Sequence, residues 1–226
     1  MTNSLQKTIS LGLLSSLCFV ILQIGVAFAA NTVSLSQTIS DGVQSVDFVD
    51  GDGASVGSPS VSFSGLTYST STQTATGTLG SSTQKLRVLN PTSDATWSVS
   101  IAATDGSTAV WDSGSDEYDF NDSNSDGTDD ADTDSVGGRL TVDPSVSTVA
   151  GFPSDEACSP STGITKGSSA SFREIATAVS SITLLTGDGS ASPYCIWDMT
   201  GIGLSQAVPG SQASGSYALG FTVSIL

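Results

Sequence analysis

The chain contains no histidine. That absence removes the usual general base of nucleophilic hydrolases and the commonest ligand of transition-metal centres. Basic side chains are scarce as well. Six Lys and Arg stand against 22 Asp and Glu, a formal charge of −16. With no basic stripe to displace counterions from a phosphate backbone, nucleic acid is excluded as a partner. Docking by charge on an anionic lipid surface is excluded by the same balance. Helix signals are missing too, since no window sustains an apolar stripe at i, i+3, i+4, i+7. The best short helical candidate is Phe172–Val179.

What is present begins with an apolar run. Residues 11–30, LGLLSSLCFVILQIGVAFAA, follow the lone charge of Lys7 and end on Ala27-Phe28-Ala29. This small-x-small ending reads as a secretory signal peptide over residues 1–29. A run of this length is also long enough to span a bilayer. Ser15, Ser16, Gln23 and the Ala-rich end favour cleavage instead. The expected product, residues 30–226, carries every acidic residue and has no membrane span. It would be secreted, to the extracellular space or the cell surface. Two cysteines remain in it, Cys158 and Cys195, and in an exported chain they predict one disulfide.

Short alternating runs recur through that product. Val33, Leu35 and Ile39 form one, Val61 and Phe63 another, and Leu86 and Val88 a third. Leu140/Val142 and Ile182/Leu184 add two more, and Trp97–Ile101 and Leu219–Ile225 are the clearest. Gly, Pro, Asn and Asp clusters such as Asp50-Gly51-Asp52-Gly53 and Asn90-Pro91 separate them. Alternation of period two between turn signals predicts an all-β fold. The expected form is an antiparallel β-sandwich, immunoglobulin-like or jelly-roll-like. One domain over residues 30–226 is expected rather than two split near residue 105, because no Pro/Ser linker divides it.

An Asp-rich segment interrupts the strands. Residues 116–134, DEYDFNDSNSDGTDDADTD, hold nine acidic side chains and no base. Within it, Asp122-Ser123-Asn124-Ser125-Asp126-Gly127 spells D-x-N-x-D-G. Oxygens on alternate residues of a tight loop converge on one point, and a glycine permits the sharp turn. Clustered carboxylates also repel one another until a cation arrives. The spacing resembles the calcium loops of EF-hands, dockerins and thrombospondin type 3 repeats. It predicts Ca2+ held by Asp122, Asn124, Asp126 and Asp130, with Thr128 giving its carbonyl and Asp132 or Asp134 closing the shell. The bidentate Glu of an EF-hand is replaced by Thr133, so the expectation is a calcium loop inserted in a β-fold. The competing reading is a solvated acidic surface.

Three strings imitate catalytic motifs. Gly53-Ala54-Ser55-Val56-Gly57 spells G-x-S-x-G, Ser82-Thr83-Gln84-Lys85 spells S-x-x-K, and Asp112-Ser113-Gly114 looks like half an aspartic protease. Each lacks its partners, and short strings of Ser, Gly and Asp arise by chance in such a composition. No catalytic residue and no enzyme are therefore expected. Among the tryptophans, Trp97 in its alternating strand reads as core, while Trp111, beside the acidic segment, is the better candidate for stacking on a sugar.

Two stretches suggest a family. ATWSVSIAATDG carries a Trp-led strand, and GSYALGFTVSIL closes the sequence with a Gly-x-Tyr strand entry. With the signal peptide, they resemble the WxL-domain surface proteins of Gram-positive bacteria, although Trp97-Ser98-Val99 and Phe221-Thr222-Val223 stand where W-x-L would be. That resemblance implies a secreted bacterial β-sandwich held non-covalently on the cell wall. The expected function is adhesion or wall association, with a cell-wall polymer, a glycan or another surface protein as partner. A filament-like subunit assembling by strand addition through residues 31–39 is the second expectation, and a secreted hydrolase the third.

Overall fold

A computed structural model of the chain describes residues 36–122, 137–152, 158–174 and 178–226. The signal-peptide expectation lies outside them. Residues 40–226 form one unit by their contacts.

Trp97–Ala103 (β4) shows how sequence becomes sheet here. Its side chains alternate strictly between buried and half-buried, so the apolar phase Trp97, Val99, Ile101, Ala103 faces the core. Strand β4 sits between Ser181–Gly187 (β12) and Phe221–Ile225 (β15), and Ile164–Lys166 (β10) completes this sheet beyond β12. A second sheet runs in the order Ser45–Val49 (β1), Lys85–Asn90 (β3), Cys195–Thr200 (β13), Thr148–Phe152 (β9). A third runs Ala170–Ser171 (β11), Gly138–Asp143 (β8), Ile202–Val208 (β14), Gln73–Leu79 (β2), with Asn121–Asp122 (β7) also on β8. Val110–Asp112 (β5) and Glu117–Asp119 (β6) form a separate ribbon. Among the described residues every strand pairing is antiparallel. The only helical pieces among the described residues are 3-10 turns at Gly106–Thr108 and Pro144–Val146. The expected all-β sandwich is what the chain adopts.

The sheets close on one apolar core, where Trp197, Leu86, Leu184, Met199 and Ile202 are fully buried. Trp97 belongs to it, its ring 5.1 Å from that of Trp197. Phe120, Phe172 and Phe221 pack as a second aromatic knot with centroids 5.1–5.6 Å apart. Cys158 and Cys195 are disulfide-bonded, with α-carbons 5.6 Å apart. Cys158 passes so close over β9 that a β-carbon on Gly151 would collide with its carbonyl. Only glycine fits there.

Three local expectations need correction. Residues 36–44 join no strand, and Ile39 is exposed. Asp41-Gly42 is held by other bonds: Gly42 N–H donates to the Pro91 carbonyl, and the Asp41 carboxylate accepts from Ser93 and Tyr194. Val61 and Phe63 lie on the core but in no strand. The segment meets β2 through Ser64 and Thr76. Of the helical candidate Phe172–Val179, the described residues 172–174 and 178–179 are not helical. Phe172 donates its N–H to Leu140 of β8, and Arg173 forms an isolated antiparallel bridge with Val179. Burying the Phe172 ring draws the chain into extended pairing.

Candidate functional site

The described part of the Asp-rich segment ends with β7, which pairs with β8. Asn121 pairs opposite Arg139, and Asp122 opposite Gly138. Both residues of β7 are buried, and so is Asp119 just before them. Asn121 is pinned by a 2.8 Å bond from its amide to the Ser107 carbonyl. Gly138 is required because a β-carbon there would strike the Asp119 carbonyl. Of the expected calcium ligands, Asp122 is thus fixed in a buried ladder. Asn124, Asp126, Thr128, Asp130, Asp132 and Asp134 lie outside the described residues. Among the described residues no three Asp, Glu or Cys side chains come together as a metal site.

Gln206 ties this root to an aromatic cluster. Its amide donates to the Asp119 carbonyl at 3.2 Å and to Ala207 at 2.7 Å. Its oxygen accepts from Trp111 Nε1 at 2.9 Å. Gln206 is almost completely buried and shares the inward phase of β14 with Ile202 and Leu204. A polar residue in an apolar phase is the sequence signal that marks it. Buried amides of this kind persist where their bonding is satisfied.

Trp111 and Tyr118 are cross-strand partners on the β5–β6 ribbon, their rings nearly parallel and 6.0 Å apart. Phe63 meets Trp111 edge-on at 5.3 Å, and Tyr217 meets Tyr118 at 5.0 Å. Burial, with some contribution from Tyr217, pushes the Tyr118 hydroxyl up to about 12. It therefore stays neutral at physiological pH. Gln212 donates to the Tyr217 hydroxyl at 2.9 Å and to the Glu117 carbonyl at 3.2 Å. This cluster floors an open groove of about 520 Å3, walled by Tyr68, Gln73, Gln206 and Gln212. An adjoining apolar cavity of about 330 Å3 lies behind Phe63 and Trp111, against Leu79, Ile101, Leu204 and Phe221.

No family model, curated protein or solved structure matches this chain. Its chemistry must be read from its own geometry. Among the described residues no helix is long and apolar enough to cross a membrane.

An ion-pair cluster lies on the second sheet. Asp198 of β13 lies opposite Arg87 of β3, which bonds it twice, at 2.7 and 2.8 Å, while Lys85 Nζ stands 3.1 Å away. Burial alone would raise the Asp198 carboxyl, but the hydrogen bonds and charges of Arg87 and Lys85 outweigh it and hold the group below its usual range. The strings that imitate catalytic motifs serve the backbone. Lys85 is committed to Asp198 and the Gly51 carbonyl. Asp112 accepts from Gly114 N–H in the β5–β6 turn. Ser55 sits in an isolated bridge to Val49.

Proposed function

We propose that this chain is a non-enzymatic protein of the extracellular space or cell surface, in which calcium bound by the Asp-rich loop braces a β-sandwich used for adhesion or wall association. The observation that carries the reading is the loop's attachment. Its buried root, Asp119–Asp122, is joined through Gln206 to Trp111, which lines the groove. Ordering the loop would thereby stabilise a ligand-sized recess. The disulfide fits an oxidising compartment. The two stretches resembling WxL-domain proteins lie side by side, with Val223 opposite Ile101 and Ile225 opposite Val99. Trp97 is used in the core, so any wall contact falls to other residues.

Calcium should raise the melting temperature, because a ligand bound only by the folded form stabilises it. At a hundredfold excess over the dissociation constant the gain is about 2.7 kcal/mol. That corresponds to roughly 5–10 °C for a chain of this size. Extracellular sites often need about 10⁻⁴–10⁻³ M calcium, so the titration extends to millimolar. Asp126→Ala should remove most of the shift, Asp47→Ala should leave it, and magnesium should substitute poorly. A wild-type melting curve indifferent to EDTA and to millimolar calcium sinks the calcium reading.

A second reading, a filament subunit adding a strand to its neighbour, is favoured by one observation. Residues 36–44 form no strand, and Ile39 and Val43 are exposed. Under it, deleting residues 31–40 abolishes fibres in negative stain and leaves the melting temperature unchanged. A deletion that lowers the melting temperature instead means that the segment pairs at home.

A further inference from the structure

We infer that the groove beside Trp111 is a binding site for a neutral oligosaccharide, an inference that rests on the surface-binding reading and gives it a ligand class. The first support is an absence that the composition makes improbable. In a chain with 22 acidic and six basic side chains, none of the described residues lining this groove is charged. Glu117, which is not among those lining residues, reaches Gln212 through its backbone carbonyl. An anionic polymer would need cations here and a cationic one carboxylates. An uncharged polyhydroxylated ligand needs neither.

The second support is the kind of atoms presented. Trp111, Tyr68 and Tyr217 bring aromatic surface to the groove, and Tyr68 is 63% exposed. Flat faces with a polar tip suit the C–H face of a pyranose, whose hydroxyls then point at surrounding donors and acceptors. Such groups are in place. The hydroxyls of Ser62, Thr67 and Tyr68 and the amide of Gln73 line the groove and have no partner among the described residues. At about 520 Å3 the groove is in the range of small-ligand sites.

Gln206 and Gln212 are spent on the protein itself. They position Trp111 and Tyr217 rather than contact the ligand. The contacts to sugar therefore fall to Tyr68, Gln73 and the exposed edge of Trp111.

Tryptophan emission of the exported, calcium-loaded protein reports the site, because Trp97 and Trp197 are sealed in the core and Trp111 is half-buried. Cellohexaose, maltohexaose and fully N-acetylated chitohexaose serve as neutral probes, and a galacturonate hexamer as the anionic one. At least one neutral probe should shift the emission and saturate. Tyr68→Ala and Gln73→Ala should each weaken that probe about tenfold and leave the melting temperature unchanged, as both side chains lack internal partners. The galacturonate should bind at least tenfold more weakly. Silence from all three neutral probes at about 10 mM overturns the inference, as does equal binding of the galacturonate or undiminished binding by both variants. A melting temperature that responds to calcium while no sugar binds overturns this inference alone. Sugar binding without any calcium response overturns the calcium reading alone.

Discussion

Asp198→Ala should destabilise the protein by about 3–5 kcal/mol, the usual cost of removing one member of a buried charge pair and stranding the other. The variant strands two, since Arg87 and Lys85 both converge on this carboxylate and neither is well exposed. In melting temperature the loss is roughly 6–20 °C. Asp47→Ala is the matched control. It faces Arg87 from β1 but is exposed, and its loss should stay below about 1 kcal/mol. The pH dependence follows from the direction of the shift. Asp198 is lowered from its ordinary 3.8 in the folded state. Its stabilisation is therefore complete above that value and disappears as pH falls through the lower, folded one. Denaturant melts across the acid range should show the wild type losing stability there, and Asp198→Asn losing less. A cost under 1 kcal/mol for Asp198→Ala would show that Arg87 and Lys85 find water instead.

Reduction of the Cys158–Cys195 bond should cost about 4 kcal/mol by the loop-entropy relation, given the 37-residue separation. The melting temperature should fall by roughly 8–16 °C. Both cysteines are buried, and the segment that begins at Cys158 also packs locally. Trp197 Nε1 reaches the Ser159 carbonyl at 3.4 Å. The Cys158→Ser/Cys195→Ser double variant should match the reduced wild type, which separates the cross-link from effects of the reductant. Coincident melts of oxidised and reduced protein would mean that the bond restrains nothing the fold does not already restrain.

Alternation was the readable part of this chain, and its limits are instructive. In β4 and β8 every second residue is buried, so the sequence phase and the structural phase coincide. In β12 they part company. Ile182 and Leu184 keep step, but the register against β4 shifts between Thr183 and Leu185, and Leu185 is buried as well. A bulge is invisible to a period-two pattern because it changes the period. Val61 and Phe63 fail differently, since alternation reports one buried face and is silent on whether the backbone finds a partner. Of the candidate site, the acidic segment and Trp111 were legible as local strings. Tyr68, Gln73 and Gln206 were not, because the groove is assembled from segments far apart in sequence, the Trp111–Gln206 bond alone spanning 95 residues. The ion pair on Asp198 escaped for the same reason, its partners lying 111 residues apart.

The disulfide has a mechanical meaning that equilibrium stability does not capture. Strands β10, β11 and β12 all lie between Cys158 and Cys195. A pull on Ser40 and Leu226 can lengthen the rest of the chain, yet those 37 residues stay looped behind a covalent bond. Fully drawn out they would add about 130 Å of contour. A protein tethered between surfaces under flow would thus be short and stiff in an oxidising medium, and would gain that slack, with a longer reach before detachment, only where a reductant opens the bond.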